Sequence, residues 1–408
     1  MLFLFAMIMV ALGTSDASRG VFSGIFESAL QLSKPEVSAI VTVSYIGNLL
    51  FVLVGGRLAD RFDHKKFFLS LLIIWISAQA LFAGTQNYLL LLVGMFFSMG
   101  ASTLMNTMMN ILSPLFFGSM AGMFVNILFF TQGIGTSAHQ MITGSLADGY
   151  EDYRLVCLLL GILGAAALIW VLAVRFPKEE AEGIKSDEEE KEESLRETVQ
   201  EKITQEKTGP AKTVRKPDQT GRFSMTTAIG MGLVFGFYFV AEHGILNWWS
   251  MYCVQGLGLD SGAASMSVSL FFATLTAGRL LFSPLVQKLG ARKSILVMGG
   301  LGTAVYVIGV LLGGGGIWLV GASGGLFSIV YPTGVLFLQE LFPKKSIATA
   351  TGLVISIGTL FDIGFNAVFG NLLEAAGFGV CRVIFPAAMV LFFGMFVLMA
   401  LKKRAHAE

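Results

Sequence analysis

Four ionisable residues lie inside long apolar stretches of the sequence and are the first candidates for chemistry: Asp16, Arg19, Glu242 and Asp362. An ionisable side chain in hydrocarbon is costly, so its presence indicates a path for an ion or a polar solute. Asp16 and Arg19 stand three residues apart and share one helical face. There they form either a neutral ion pair or a carboxyl group that exchanges a proton. We predict that these four residues take part in proton coupling.

The two acids in the second half of the chain have different surroundings. Asp362 has no base within four residues, so it needs a distant partner, a bound cation or a proton. Glu242 precedes Asn247, Trp248 and Trp249 along one helix. Indoles stack on the apolar face of a sugar ring, while a carboxylate and an amide bind its hydroxyls. The alternative is that the indoles belong to the aromatic belt at a membrane interface.

Amide and imidazole side chains also recur at helical spacing within the apolar runs 88–110 and 117–145. Such groups often only join helices, with a gain of about 0.6–2 kcal/mol each. His139 is either a hydrogen-bonded structural imidazole or a proton carrier. With the cluster near Glu242 and an amide one turn after Asp362, the candidates for solute contact are Asn106, Asn110, His139, Gln140, Asn247, Trp248 and Asn366.

The elements that must position these residues are membrane helices. The chain has 408 residues, of which 54% are hydrophobic and 13% are charged, against roughly 25% charged in soluble proteins. Most apolar runs are about 20 residues long, the length that crosses a bilayer. The predicted spans are 2–30, 36–57, 67–84, 88–110, 117–145, 154–174, 223–253, 262–285, 293–312, 316–338, 346–372 and 380–401.

Charge is concentrated in one segment and otherwise favours one side. Residues 175–222 hold 11 Lys/Arg and 13 Asp/Glu, which predicts a solvated linker or a regulatory segment rather than a core. Of the 17 other Lys/Arg residues, 13 fall on loops of one parity. The positive-inside rule therefore places both termini and the linker in the cytoplasm, with the protein in the plasma membrane, the inner membrane of a bacterium.

The loop after the second run carries glycine, acid and bases in a fixed order: Gly56-x-Leu58-Ala59-Asp60-Arg61-x-x-x-Lys65. The simplest interpretation is a basic turn between two membrane helices. The pattern instead resembles the signature loop between helices 2 and 3 of the major facilitator superfamily of secondary transporters. It departs from that signature at Asp63, where a second glycine is usual, and at His64, where a base is usual.

A partial copy of this loop begins at Gly278-Arg279 in the second half of the chain, without the central acid. Two copies are typical of a transporter built from two related halves. The resemblance implies halves that rock about a central site, with the loop acting as a conformational latch. The latch candidates are Gly56, Asp60, Arg61, Lys65, Gly278 and Arg279.

A narrower resemblance concerns the first half of the chain. Asp16, the pattern Asn106-Thr107-x-x-Asn110 and Asn126 are similar to the fucose–galactose–glucose:proton symporter group, which includes the fucose permease. In that group an acid in the first span and an acid followed by Thr-x-x-Asn in the fourth serve proton and sugar. In this chain Asn106 stands where that group has the second acid. The role of that acid is therefore taken by Glu242, or the coupling differs.

Together these features predict an all-α membrane protein with twelve transmembrane helices in two pseudo-symmetric six-helix halves, the major facilitator fold. Residues 1–174 and 223–408 form the halves and residues 175–222 the charged cytoplasmic linker. The predicted function is proton-coupled symport of a small polar solute, a sugar or sugar derivative, by alternating access. We expect a monomer in the lipid bilayer, with no cofactor, no metal and no nucleic-acid partner. The coupling ion is H⁺, with Na⁺ as the alternative.

Two other functions remain open. A drug–proton antiporter suits the 35 Phe and 19 Met residues, although the amide stripes favour cargo that bears hydroxyl groups. A transporter-like sensor that signals through residues 175–222 is the third hypothesis. An enzyme is not expected, because the sequence has no nucleophile–base pair and no cluster of metal ligands.

Overall fold

The computed structural model describes residues 1–59, 61–176, 223–343 and 346–405, and all regular structure in these ranges is helical. Residues 1–174 and 222–408 group into one compact unit, and residues 175–221 into a second. Most of the predicted linker and the latch candidate Asp60 therefore lie outside the described residues.

Twelve long helical segments follow one another in the described residues. They are α1 Leu2–Val21, α2 Lys34–Ala59, α3 His64–Gly84, α4 Tyr88–Phe117, α5 Ala121–Leu146, α6 Tyr150–Ala173, α7 Met225–Trp249, α8 Ser261–Leu281, α9 Ala291–Leu311, α10 Gly313–Leu341, α11 Ile347–Ala376 and α12 Cys381–Ala405. Two short helices, Ser23–Ala29 and Ser283–Leu289, follow α1 and α8. The predicted all-α architecture is confirmed.

Eleven of these segments are long and apolar enough to cross a membrane. The remaining one is α5, which has 26 residues but carries the polar stripe seen in the sequence. Some predicted boundaries were wrong. The first span does not run unbroken from 2 to 30, because α1 ends at Val21, and α4 continues to Phe117 rather than ending at 110.

Side-chain caps explain where several helices begin. The Asp63 side chain accepts a hydrogen bond from the backbone N–H of Lys66 at 2.9 Å, so the residue that departs from the family signature is the N-cap of α3. Asn87 caps α4 in the same way. Each cap satisfies a backbone donor that the first helical turn leaves without a partner.

The two sets of six helices pack by the same scheme. In the first set α1 packs on α5 and α2 on α4, and in the second set α7 packs on α11 and α8 on α10. Glycine permits the closest of these approaches: a Cβ at Gly13 in α1 would lie 3.1 Å from the backbone nitrogen of Thr136 in α5. Small residues are the usual means of close helix packing in membranes.

Because successive helices alternate in direction, their connections lie on two sides. We call the side with the loops near 60, 118, 290 and 344 and both chain ends the terminal face, and the other side the opposite face. The halves meet through α2 with α11 and α5 with α8. Near the opposite face, the Ser38 hydroxyl of α2 donates to the Asn366 carbonyl of α11 and accepts from the Gly370 N–H at 3.2 Å.

A second group of contacts closes the opposite face. Lys34, at the start of α2, pairs with Glu27 and donates to Gln255 Oε1 at 2.6 Å. Gln255, which follows α7, donates in turn to Glu27 at 2.8 Å. The hydrogen bond between Lys34 and Gln255 and that between Gln255 and Glu27 join the two halves, so the halves are in direct contact at the opposite face.

Candidate functional site

The candidate site is built around an irregular stretch of α7. The α-helical part of this segment ends at Gly244, and a π-helical turn runs over Ile245–Trp249. Single π-turns are rare and occur frequently at functional sites, because they re-aim the side chains that follow. Here the turn directs Asn247, Trp248 and Trp249 into buried positions.

Asp362 of α11 has its partner in α7. His243 Nδ1 lies 2.6 Å from Asp362 Oδ2, and the other carboxylate oxygen accepts from Asn366 Nδ2 at 3.1 Å. The Asp362 side chain is 2% exposed and that of His243 is 27% exposed. The imidazole is therefore the more accessible member of a pair whose carboxylate is buried.

The His243 ring is held between two aromatic rings. Tyr45 of α2 stacks on it with ring centroids 5.1 Å apart, and Phe239 stacks at 5.4 Å. Tyr45 belongs to the first half of the chain and His243 to the second, so this stack crosses the interface between the halves. The orientation of the imidazole thus depends on both halves.

Both indoles of α7 are fully inside the protein. Trp248 is 1% exposed and Trp249 is not exposed. The Trp248 indole N–H donates to Asn366 Oδ1 at 3.0 Å, and that of Trp249 donates to Ser267 at 3.0 Å. The alternative that these residues form an interfacial belt is therefore wrong. Trp248 instead orients Asn366, which in turn holds Asp362.

Arg19 of α1 belongs to the same hydrogen-bond network as Tyr45 and Asn247. Its Nε donates to Asn247 Oδ1 at 3.0 Å and its Nη1 to Ser44 Oγ at 2.9 Å. The guanidinium carbon stands 4.4 Å from the centroid of the Tyr45 ring, and Asn247 donates to the Tyr45 hydroxyl at 3.0 Å. These contacts join α1, α2 and α7.

Asp16 and Arg19 do not form the ion pair that their spacing permits. No ion pair within the described ranges joins them. Asp16 instead accepts from the Ser102 hydroxyl of α4 at 2.8 Å and from Gln132 Nε2 of α5 at 3.4 Å. The carboxylate therefore belongs to the interior of the first half, while the guanidinium points toward the second.

The remaining solute candidates lie away from this network. His139 is buried and shares a hydrogen bond with the Ser18 hydroxyl at 3.0 Å. Gln140 is buried, with neither amide atom bonded, and Asn106 Oδ1 is also buried without a partner in the described structure. Asn110 is exposed and donates to the Asn106 carbonyl at 3.1 Å.

Glu242 is half-buried at the end of the regular part of α7. It follows Tyr238 by one helical turn and directly precedes His243 in the sequence. Glu242 therefore flanks the His243–Asp362 pair without belonging to it.

The latch candidates make contacts mainly within their own halves. Lys65 Nζ donates to the carbonyls of Leu172 at 2.9 Å and Val174 at 2.7 Å, so it caps the end of α6. Gly278 packs directly against Ser328 of α10, and the Arg279 side chain is exposed. The latch role of Gly56, Arg61 and the other candidates stays a prediction.

A cavity of about 760 Å³ lies in the half of the bundle nearer the terminal face. Its walls come from α5, α8, the short helix Ser283–Leu289 and α10, and they include apolar, hydroxyl and amide groups together with one guanidinium. The polar lining residues are Asn126, Thr276, Arg279, Ser283, Gln287, Ser328, Tyr331 and Thr333. The Tyr331 ring contacts that of Phe239 at 5.8 Å, and Phe239 stacks on His243, so aromatic rings connect the cavity to the network.

Sequence reasoning missed Ser44, Tyr45 and Ser102 as site residues and did not pair His243 with Asp362. Serine and tyrosine in an apolar helix have no pattern that separates a site role from packing. The one available signal was that His243 and Asn247 share a helical face. Within the described ranges, no group of three or more His, Cys, Asp and Glu residues is arranged to hold a metal ion.

The chain is similar to known transporters in sequence and in fold. The sequence profile of the Major Facilitator Superfamily matches residues 3–362. The glucose transporter GlcP of Staphylococcus epidermidis is 24% identical over 391 residues, covering 87% of this chain and 84% of the relative. The hexuronate transporter of Bacillus subtilis is 24% identical over 392 residues, covering 88% and 86%. The crystal structure of a D-xylose–proton symporter superposes with a TM-score of 0.70 at 13% identity, covering 98% and 96%.

Proposed function

Because the chain belongs to the Major Facilitator Superfamily, we propose that it moves a sugar or sugar derivative across a membrane by proton-coupled symport. The protein is a multi-pass membrane transporter of small solutes and not an enzyme. Its curated relatives are named for glucose and for hexuronate, so neutral sugars and sugar acids are both within the proposed cargo. The observation that carries the proton-coupling part is the pair His243–Asp362.

This pair has the arrangement that proton coupling requires. When a proton is added to the neutral imidazole, the resulting imidazolium and the carboxylate neutralise each other at a distance of 2.6 Å. Loss of that proton leaves a net negative charge in a nearly dry position, which is unfavourable in hydrocarbon. Because the imidazole is partly exposed, a proton can reach the pair through His243.

The neighbours of the pair supply contacts for a polar cargo. Asn247 and Arg19 present amide and guanidinium groups at the interface between the halves. Trp248 is buried in this conformation, so we assign it the role of positioning Asn366 rather than stacking on a sugar. Glu242 and the cavity near Arg279 lie on the route between the terminal face and the network.

Contacts at the opposite face and a cavity nearer the terminal face support transport by alternating access. The bias of basic residues supports a cytoplasmic location for the terminal face, both chain ends and the linker 175–222, with the protein in the plasma membrane. The contacts of Lys34 and Ser38 then close the extracellular side, and the cavity lies toward the cytoplasm. In the outward-facing state these contacts must break, and the loop Gly56–Lys65 would hold the halves together on the cytoplasmic side.

Reconstituted protein tests the proposal directly. Proteoliposomes with a proton gradient should accumulate a radiolabelled sugar, and Asp362→Asn and His243→Gln should abolish accumulation while sugar exchange across equal concentrations persists. Exchange persists because it needs no proton release. The matched control is Asp148→Asn, which removes an exposed loop carboxylate and should leave uptake unchanged.

Three outcomes would argue against the proposal in different ways. Accumulation that keeps its pH dependence in both variants would remove the pair from coupling. Uptake driven by a Na⁺ gradient alone would show that the coupling ion is Na⁺ rather than H⁺. Efflux of cationic dyes without sugar uptake would support the drug–proton antiporter instead.

A further inference from the structure

Arg19 is a buried cation whose partners are all neutral. Its side chain is 4% exposed, and its hydrogen bonds go to the Asn247 amide oxygen and the Ser44 hydroxyl. No carboxylate of the described residues forms an ion pair with it. Asp16 is near enough to attract Arg19 electrostatically but forms no ion pair with it. A buried charge is disfavoured unless an opposite charge is paired with it directly, so the guanidinium lacks a directly bonded anion.

The guanidinium also has unused donors. Arginine carries five N–H groups, and the two hydrogen bonds to Asn247 and Ser44 occupy only two of them. The nitrogen Nη2 makes no hydrogen bond within the described structure and is not fully enclosed. Both N–H groups of Nη2 and the second N–H of Nη1 therefore lack a hydrogen bond to the described residues. We call these donors the free edge of Arg19, and they suit a ligand with two acceptor oxygens, such as a carboxylate.

The nearby acids are engaged elsewhere. Asp362 is bound by His243 and Asn366, and Asp16 accepts from Ser102 and from an amide of α5. Neither can pair with the guanidinium without giving up these contacts. Glu242 is near Tyr45 but forms no ion pair with Arg19 in the described structure. An external anion can pair with the guanidinium and leave the contacts of Asp362 and Asp16 intact.

We propose that the cargo is a sugar acid and that its carboxylate binds the free edge of Arg19. This inference rests on the proposed function and narrows its substrate class. The ring of Tyr45 touches both Arg19 and the partly exposed His243, so a solute that reaches the imidazole lies one aromatic ring away from the guanidinium. A sugar ring bound there would place its carboxylate at Arg19 and its hydroxyls near Asn247.

A pair of ligands that differ only in the carboxylate gives the test. Glucuronate has a carboxylate where glucose has a hydroxymethyl group. Binding of each to the purified full-length protein should be measured by calorimetry, alongside uptake of each into proteoliposomes. Wild-type protein should bind glucuronate roughly 10- to 100-fold more tightly than glucose, the ratio expected for hydrogen bonds to a charged group.

Variants of the arginine sharpen the test. Arg19→Gln should lose that preference, and Arg19→Lys should keep part of it, because lysine retains the charge but not the fork. The control Arg154→Gln removes an arginine that pairs with Glu151 on the opposite face and should keep the full preference. A monodisperse elution profile and a cooperative melting transition for each variant establish that it is folded.

The possible failures are distinguishable. Wild-type protein that binds or transports glucose as well as glucuronate would overturn the sugar-acid inference and leave the proposed sugar transport standing. A folded Arg19→Gln variant with unchanged glucuronate affinity would overturn the role of Arg19. Transport of neither compound, nor of any other sugar, would overturn the proposed function together with the inference.

Discussion

Replacing Gly370 by alanine should open the opposite face of the transporter. Gly370 lies in α11 where this helix crosses α2, and a Cβ at this position would lie 2.5 Å from Ser38 Cβ and 2.7 Å from Pro35 Cα. It would also meet the carbonyl oxygen of Lys34. Two of these three atoms are backbone, so the helices must separate by about 1 Å to restore ordinary contact.

The size of the effect follows from overpacking. Forcing an extra methyl group into a filled contact costs roughly 1–3 kcal/mol. The penalty applies only while α2 and α11 touch, so it destabilises the state closed at the opposite face and not the state that is open there. The ratio of open to closed molecules should therefore rise by roughly 5- to 150-fold.

An engineered cysteine next to the contact between α2 and α11 can report whether the opposite face opens. Thr42 lies one turn along α2 from Ser38, to whose carbonyl it donates at 2.9 Å, and it is nearly buried. In Thr42→Cys protein, a membrane-impermeant maleimide added from the opposite face should react faster when Gly370→Ala is present. The native thiols Cys157, Cys253 and Cys381 are buried, so their background labelling should be low.

A glycine in the same helix provides the control. A Cβ at Gly364 would have no neighbour within 4 Å, so Gly364→Ala shares the gain in helix propensity, about 1 kcal/mol, without the clash. Equal labelling rates in folded Gly370→Ala and Gly364→Ala proteins would refute the reasoning. So would a labelling rate in Gly370→Ala below that of the parent.

Two further predictions concern stability. Trp248→Phe removes the donor to the buried amide oxygen of Asn366 in α11, and leaving that oxygen without a partner should cost about 1–3 kcal/mol of stability. Thermal melting in detergent should show this loss. The control Trp170→Phe, at a 40% exposed position, should change the melting temperature little. The backbone N–H groups of Ala263 and Gly262 hold the pKa of Asp260, the N-cap of α8, below its usual range. Its stabilising effect is therefore complete above the unfolded pKa and is lost as the pH falls through the lower folded value. Asp260→Asn, which still caps, should reduce the fall in melting temperature between pH 7 and pH 3; an unchanged fall would contradict this.

Local patterns in the sequence predict much of this fold. Apolar runs of bilayer length mark eleven of the twelve long helices that the structure describes, because length and hydropathy are properties of each segment alone. The break after Val21 and the π-turn at Ile245–Trp249 escape this reasoning. Both depend on how a helix packs against its neighbours, which no single segment records.

The site is harder to predict because its pairs are distant in the chain. Asp16 and Arg19 have the spacing of an ion pair, yet Ser102, 86 residues away, binds the acid, and Asn247, 228 residues away, binds the base. The sequence indicated that Asp362 needs a distant partner or another source of compensation. Only the packing of α7 against α11 identifies that partner as His243.

In the proposed proton-coupled symport, the position of Tyr45 bears on leakage of the proton gradient. Tyr45 and Arg19 belong to the first half of the protein, whereas their partners His243 and Asn247 belong to the second. Reorientation of the unloaded carrier must break the ring stack and both hydrogen bonds of Asn247 with nothing to replace them. A carboxylate on Arg19 would offer the guanidinium a substitute for Asn247 and so lower the barrier for the loaded carrier alone. The same ring would then discourage futile cycling, in which ions cross without cargo.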